Sequence, residues 1–158
     1  MKMYNTIKTI RYMGNKNKLL DFIIPEIINN SSNDDIICEL MAGTNCVSYA
    51  LEDKRKIYTN DIQYYSYIIS NALIKNNSKV ISSENAIKDL EEKYKINLES
   101  HEYDFFKKNY SDTYFSAKQC IEIDSIRYAI NYITDKDIKS LYLVALMNAM
   151  CVCEATSG

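Results

Sequence analysis

Residues 37–51, ICELMAGTNCVSYAL, decide how this chain is read. An apolar run ends in an acid at Glu39, the short loop after it carries a single glycine, Gly43, and a helical pattern begins near Cys46. A residue without a Cβ lets main chain approach a bound molecule closely, which gives Gly43 a use beyond turning. Asn45 stands where a fingerprint loop has its last glycine, and asparagine tolerates unusual backbone angles better than most residues. On spacing alone the stretch fits either a cofactor loop or a structural turn. The missing three-glycine fingerprint counts against a pyrophosphate-binding protein more than against a ligand without phosphates.

The flanking sequence supplies a frame for that loop. A helix is predicted from about Asn15 to Asn29, with Leu19, Phe22, Ile23 and Ile27 on one side, and the polar run NNSSNDD (29–35) stops it. IICEL (36–40) reads as a short buried strand, followed by a helix from Cys46 to Glu52. KIYTN (56–60) reads as a second strand and IQYYSYIISNALI (62–74) as a helix after it. This alternation predicts a parallel, doubly wound α/β sheet. Glu39 and Asp61 each close a strand and lie 22 residues apart. In doubly wound folds ligands sit beyond the carboxyl ends of the strands, and an acid about twenty residues past the glycine loop takes both ribose hydroxyls. A carboxylate suits that task because its two oxygens accept in one plane.

Beyond residue 78 the character changes. SSENAIKDLEEKYKI (82–96) is a charged amphipathic helix with Ile87, Leu90 and Tyr94 on one face. In SAKQCIEIDSIRYAINYI (116–133), Ser116 and Gln119 form a capping-box signature, and Ile123, Ile126, Ile130 and Ile133 recur at helical spacing. Thr134 with Asp137 is placed to cap a last helix, DIKSLYLVALMNAMCVC (137–153), whose nearly all-round apolar surface predicts deep burial. The second half therefore reads as a helical insertion or subdomain.

Composition excludes several classes. With 47% hydrophobic and 25% charged residues, the chain is neither a disordered tail nor a membrane span, and no signal-peptide pattern opens it. The five cysteines, Cys38, Cys46, Cys120, Cys151 and Cys153, are odd in number and irregularly spaced, as expected of reduced thiols in a cytoplasm. Cys151 and Cys153 are too close for a zinc hairpin and His101 is remote, so no metal site is expected. The net charge of −2 does not announce a nucleic-acid binder, but Lys2, Lys8, Arg11, Lys16 and Lys18 all precede the first acid, Asp21. That cationic patch fits a phosphate backbone, a cofactor carboxylate or a solvated basic terminus.

Three stretches in succession, RYMGNKNKLLDFIIPEI (11–27), ELMAGTNCVSYAL (39–51) and TNDIQYYSYIISNALI (59–74), resemble the Dam-type family of adenine-specific DNA methyltransferases. The likeness is good over roughly residues 8 to 75 and looser through YFSAKQCIEIDSIRYAI (114–130) and the final ATSG. It implies a Rossmann-like S-adenosylmethionine-dependent methyltransferase fold, with an incomplete parallel sheet plus a helical insertion or recognition region. Residues 1–78 would be the cofactor-binding part, and residues 79–158 a mostly helical segment comprising part of the DNA-recognition region and the return to the core.

The resemblance also assigns residues. Tyr12 and Lys16 match the N-terminal cofactor motif, with tyrosine where relatives often have tryptophan, and Lys16 would meet the methionine carboxylate as a compact point charge. Glu39, Ala42 and Gly43 match the loop around the methionine and sugar, with glutamate in place of the usual aspartate. Asp61 matches the ribose-binding acid, and Ile62 would pack against the adenine ring. Asn45 departs from a common second glycine, and Cys46 reads only as packing. Without the family pattern, Tyr12 reads as a core aromatic and Lys16 as a solvated helix residue. Tyr64, Tyr65 and Tyr67 read as core or interface packing before base stacking. Asp124 and Arg127 are expected to tie their helix to the domain, and Lys107, Lys108 and Lys118 are candidate phosphate contacts on an otherwise solvated surface.

One part of the family pattern is missing. Transfer to an adenine amine uses an acidic or amide residue followed by Pro-Pro and an aromatic, which orients the amine of an extruded base. The chain has a single proline, Pro25, so that motif does not occur in it. The expectation is an N-terminal piece of a longer enzyme, or a split half whose second polypeptide supplies catalysis, acting on double-stranded DNA and inactive by itself. A cofactor- and DNA-binding module without turnover, and an RNA methyltransferase, are the rival readings.

Overall fold

The structure, a computed structural model, describes residues 15–75 and 84–153. Tyr12, the lysines and arginine before it and the terminal ATSG lie outside the described residues. The chain divides into two compact units, Met1–Asn77 and Ser78–Gly158.

In the first unit Asn15 opens a single 3-10 turn, Lys16–Leu19, by accepting a hydrogen bond from the Asn17 N–H at 2.9 Å. Helix α1, Leu20–Asn29, continues from it. The tighter turn rotates the helix relative to a continuous α-helix begun at Asn15. The buried stripe is accordingly Leu20 and Ile24, with Ile23, Ile27 and Ile28 beside them, whereas Leu19 and Phe22 point to solvent. The expected apolar face is thus out of phase at those two positions. Strands β1, Ile36–Glu39, and β2, Lys56–Thr59, pair in parallel, with Ile37 opposite Ile57 and Glu39 opposite Thr59. Helix α2, Cys46–Leu51, forms the crossover, and α3, Tyr64–Leu73, follows β2.

Ile37 and Ile57 face the cluster built by Leu20, Ile24, Cys46, Val47, Ala50 and Leu51 from α1 and α2. The Thr59 hydroxyl meets that of Ser70 on α3, so all three helices lie on one face of the strand pair. The opposite face, Ile36, Cys38, Lys56 and Tyr58, is exposed. The parallel pairing is as expected, and within the first unit the described helices α1–α3 form one of the two layers that a doubly wound sheet has. Tyr64 and Tyr67 are also exposed, one helical turn apart on α3 and stacked at 5.7 Å, which removes the core half of their reading as core or interface packing.

The second unit is helical: α4, Glu84–Ser100; α5, Phe105–Tyr110; α6, Ala117–Asn131; α7, Lys136–Cys153. Helix α6 packs against each of the other three. Its start is the expected capping box between Ser116 and Gln119. Buried Asp124 on α6 accepts the N–H groups of Phe106 and Lys107 at the start of α5, while Arg127 bonds Asn131 on its own helix. Phe115, Cys120 and Ile123 form a core with Phe106, Tyr110 and Met150. The cap of α7 is Asp135, which takes the N–H groups of Asp137 and Ile138, and not the expected Thr134 with Asp137. Nor is α7 deeply buried. Only its Ser140 and Val144 are inaccessible, and Val152 is 85% exposed. An apolar composition hides a helix only where other elements cover it, and α7 packs chiefly on α6. Among the described residues no helix is long and apolar enough to cross a membrane, and no cluster of metal-ligating side chains occurs.

Candidate functional site

The β1–α2 and β2–α3 loops leave the same end of the strand pair and are laced together by main chain. The Asn60 N–H donates to the Glu39 carbonyl at 2.9 Å, and the Ala42 N–H to the Asn60 carbonyl at 3.0 Å. Glu39 and Asp61 therefore stand at one end of one unit, as the strand register requires. Between the loops is a cleft of about 190 Å³. Lys16, Ala42, Gly43 and Asp61 line it, together with Thr44 and Gln63, which the sequence did not single out, and Tyr65, which reads there as packing.

Gly43 adopts a left-handed backbone with φ of 54°. A Cβ there would meet nothing within 4 Å, so the glycine is favoured by its dihedral and not by crowding, and the space above it is open to a ligand. Asp61 is held from both loops. One carboxylate oxygen accepts the Gly43 N–H and the other the Gln63 N–H, each at 2.8 Å. The Gln63 and Gly43 amides keep the Asp61 carboxyl below the ordinary aspartate range. A carboxylate has about four lone-pair sites, so two remain for further donors.

Glu39 does not line the cleft but lies behind it. Its Oε1 accepts Lys16 Nζ at 2.8 Å, and its Oε2 accepts the N–H and hydroxyl of buried Ser48. Lys16 also donates to the Met41 carbonyl. The only route by which the sequence could have found Ser48 is its place in the first turn of α2, where helix N–H groups lack partners. Ile62 is 96% exposed, and it is its main chain that bonds the neighbouring Asp61 carboxylate. Cys46 packs in the α1–α2 cluster, where burial pushes its thiol pKa up, and it also borders the cleft, which the reading as packing alone does not include.

The profile of the D12 class N6 adenine-specific DNA methyltransferases matches residues 12–154. The chain belongs to this family. It is 31% identical over 87% of its length to the type II methyltransferase M.FokI of Planomicrobium okeanokoites, and 26% identical over 77% to M.NlaIII of Neisseria lactamica. With M2.HphI of Haemophilus parahaemolyticus it shares 28% identity over 89% of its length. The chain spans only 24%, 37% and 39% of these three relatives, respectively. No solved structure matches it.

Proposed function

We propose that this chain carries the S-adenosylmethionine pocket and part of the recognition region of an adenine-specific DNA methyltransferase with a Rossmann-like fold, working in the cytoplasm. The observation that carries the reading is the pair of acids at adjacent ends of parallel strands, with Gly43 bonded to Asp61 between them. The donor set suits the ligand. The Lys16–Glu39 pair offers a cation and an anion 2.8 Å apart, a complement to the ammonium and carboxylate of an amino acid. Lys16 would turn from Glu39 and Met41 to the ligand's carboxylate, and Glu39 would then be free for its ammonium. Asp61 would keep its two main-chain donors and take the ribose hydroxyls on its remaining lone pairs. Ile62, exposed beside Asp61, would pack against the adenine, and Tyr12, outside the described residues, is assigned to the same ligand by the family pattern alone. When bound, the cofactor supplies an electrophilic methyl group on sulfonium. These residues bind and orient it, which is their whole contribution to rate.

The acceptor we propose is the exocyclic amine of an extruded adenine in double-stranded DNA. Residues 78–158 hold ten Lys and Arg against thirteen Asp and Glu, so phosphate contacts would fall on local exposed cations such as Lys107 and Lys118. Lys108 is engaged with Asp104 at 2.8 Å. The Pro-Pro-aromatic motif would come from polypeptide outside these 158 residues. A binding module without turnover is the second reading, and the single proline, Pro25, fits it and the first reading alike.

Calorimetry with S-adenosylmethionine tests the pocket. Binding that falls at least roughly tenfold in Asp61→Ala, as loss of a charge-assisted hydrogen-bond pair requires, supports it. No binding by the wild-type chain at millimolar ligand would remove it. A methyl-transfer assay with tritiated cofactor, with and without a polypeptide bearing the missing motif, separates the two readings. Turnover only in its presence is expected.

A further inference from the structure

We infer that Asn45 is a positioning residue, whose side chain locks the ligand-facing main chain of the cleft in a way that a glycine at this place would not. The inference rests on the cleft being the ligand site. Asn45 takes up a left-handed conformation, φ 59° and ψ 23°, and is fully buried. Glycine or asparagine adopts that conformation readily, so backbone geometry alone does not call for an amide. The amide has its own task. Its Nδ2 donates to the Gly43 carbonyl at 3.3 Å, to the Ser66 carbonyl at 3.0 Å and to the Ser66 hydroxyl at 3.3 Å.

These bonds close a ring. Asp61 holds the N–H groups of Gly43 and Gln63, the Ser66 N–H donates to the Gln63 carbonyl at 3.0 Å, and Asn45 joins Ser66 back to Gly43. The Gly43 residue is thereby held at its N–H by one loop and at its carbonyl by a side chain anchored on α3. Asn45 is absent from the cleft lining, so it acts on a ligand only through Gly43 and Asp61. Ordering the loop before the ligand arrives removes that cost from binding.

The test is Asn45→Gly, which keeps the left-handed backbone and opens the ring. The sequence has three glycines, so the Gly43 amide is readily assigned in a nitrogen–proton correlation spectrum. Its hydrogen exchange should quicken at least about tenfold and be insensitive to low urea, the mark of local opening. Affinity for S-adenosylhomocysteine should fall roughly five- to tenfold in calorimetry, which a merely structural residue would not change in the folded protein. Asn45→Asp, which replaces the donor by an acceptor facing two carbonyls, should do the same, and it serves if the glycine variant fails to fold. Wild-type exchange in either variant, or faster exchange with unchanged affinity, would overturn the proposal. If the wild-type chain binds no ligand, the pocket reading fails, and with it the ligand-positioning role, while the exchange result still decides whether the ring exists.

Discussion

Asp61 in the first unit and Asp124 in the second both use a carboxylate to hold two main-chain N–H groups. Asp124 holds those of a neighbouring helix, and Asp61 one from the neighbouring loop and one from its own. Asp124 is 1% exposed and takes the Phe106 and Lys107 amides that open α5. Asp61 takes the Gly43 and Gln63 amides and borders the cleft. The donors are alike and the surroundings differ. A buried carboxylate is tolerated only because its partners compensate lost hydration, so Asp124 has become structure. Asp61 keeps access to solvent and unused lone pairs, which leaves it able to meet a ligand.

The sharpest way to break this comparison is to remove each acid. Asp124→Ala leaves two helix-opening N–H groups without their acceptor inside the second unit. It should lower unfolding free energy by roughly 2–4 kcal/mol in urea denaturation. Asp61→Ala leaves its donors near water and should cost under about 1 kcal/mol by the same measurement. Equal losses would mean that the cleft carboxylate is as structural as the buried one.

The two units also differ in how far they were legible. Strand, loop and helix order in the first unit followed from apolar runs punctuated by polar loops, and the acids at 39 and 61 follow from strand ends. Ala42, Gly43 and Asp61 come together at the cleft because they follow those ends, whereas Lys16, in the 3-10 turn before α1, is assigned only through the family resemblance. Thr44 and Gln63 were not legible, since which side chain turns inward depends on the path of each loop, and Tyr65 reads only as packing. The Leu19 and Phe22 error came from a 3-10 turn that periodicity cannot see. In the second unit the Ser116–Gln119 box was readable because it is local, whereas the burial of α7 was not, because covering a helix is a property of its neighbours. Asp124 shows the same limit. Its sequence says acid on a helix, and only the packing says cap of α5.

A milder test sits behind the cleft. Glu39→Gln removes the charge opposite Lys16 but keeps an acceptor for Ser48. Lys16 is a third exposed at its side chain, so the pair is partly screened. The expected loss is about 1 kcal/mol in thermal or urea unfolding. A loss as large as that of Asp124→Ala would place Glu39 with the buried acid and not with the cleft.

The smallest effect is a pH dependence read at one amide. Because the Gln63 and Gly43 N–H groups bond the ionised form of Asp61, its folded pKa is depressed below the unfolded value. A group depressed in this way contributes stability that is present above the unfolded pKa, about 4 for aspartate, and is lost as pH falls through the folded value. The Gly43 amide, bonded to that carboxylate, should therefore shift with a midpoint under about 4 in a proton titration followed by nitrogen–proton correlation spectra. Asp61→Asn should abolish the titration and leave the amide signal in place. A midpoint at or above the ordinary aspartate value would show that the two main-chain bonds do not favour the charged form. The acid at the cleft would then lack the feature that separates it from a solvated carboxylate.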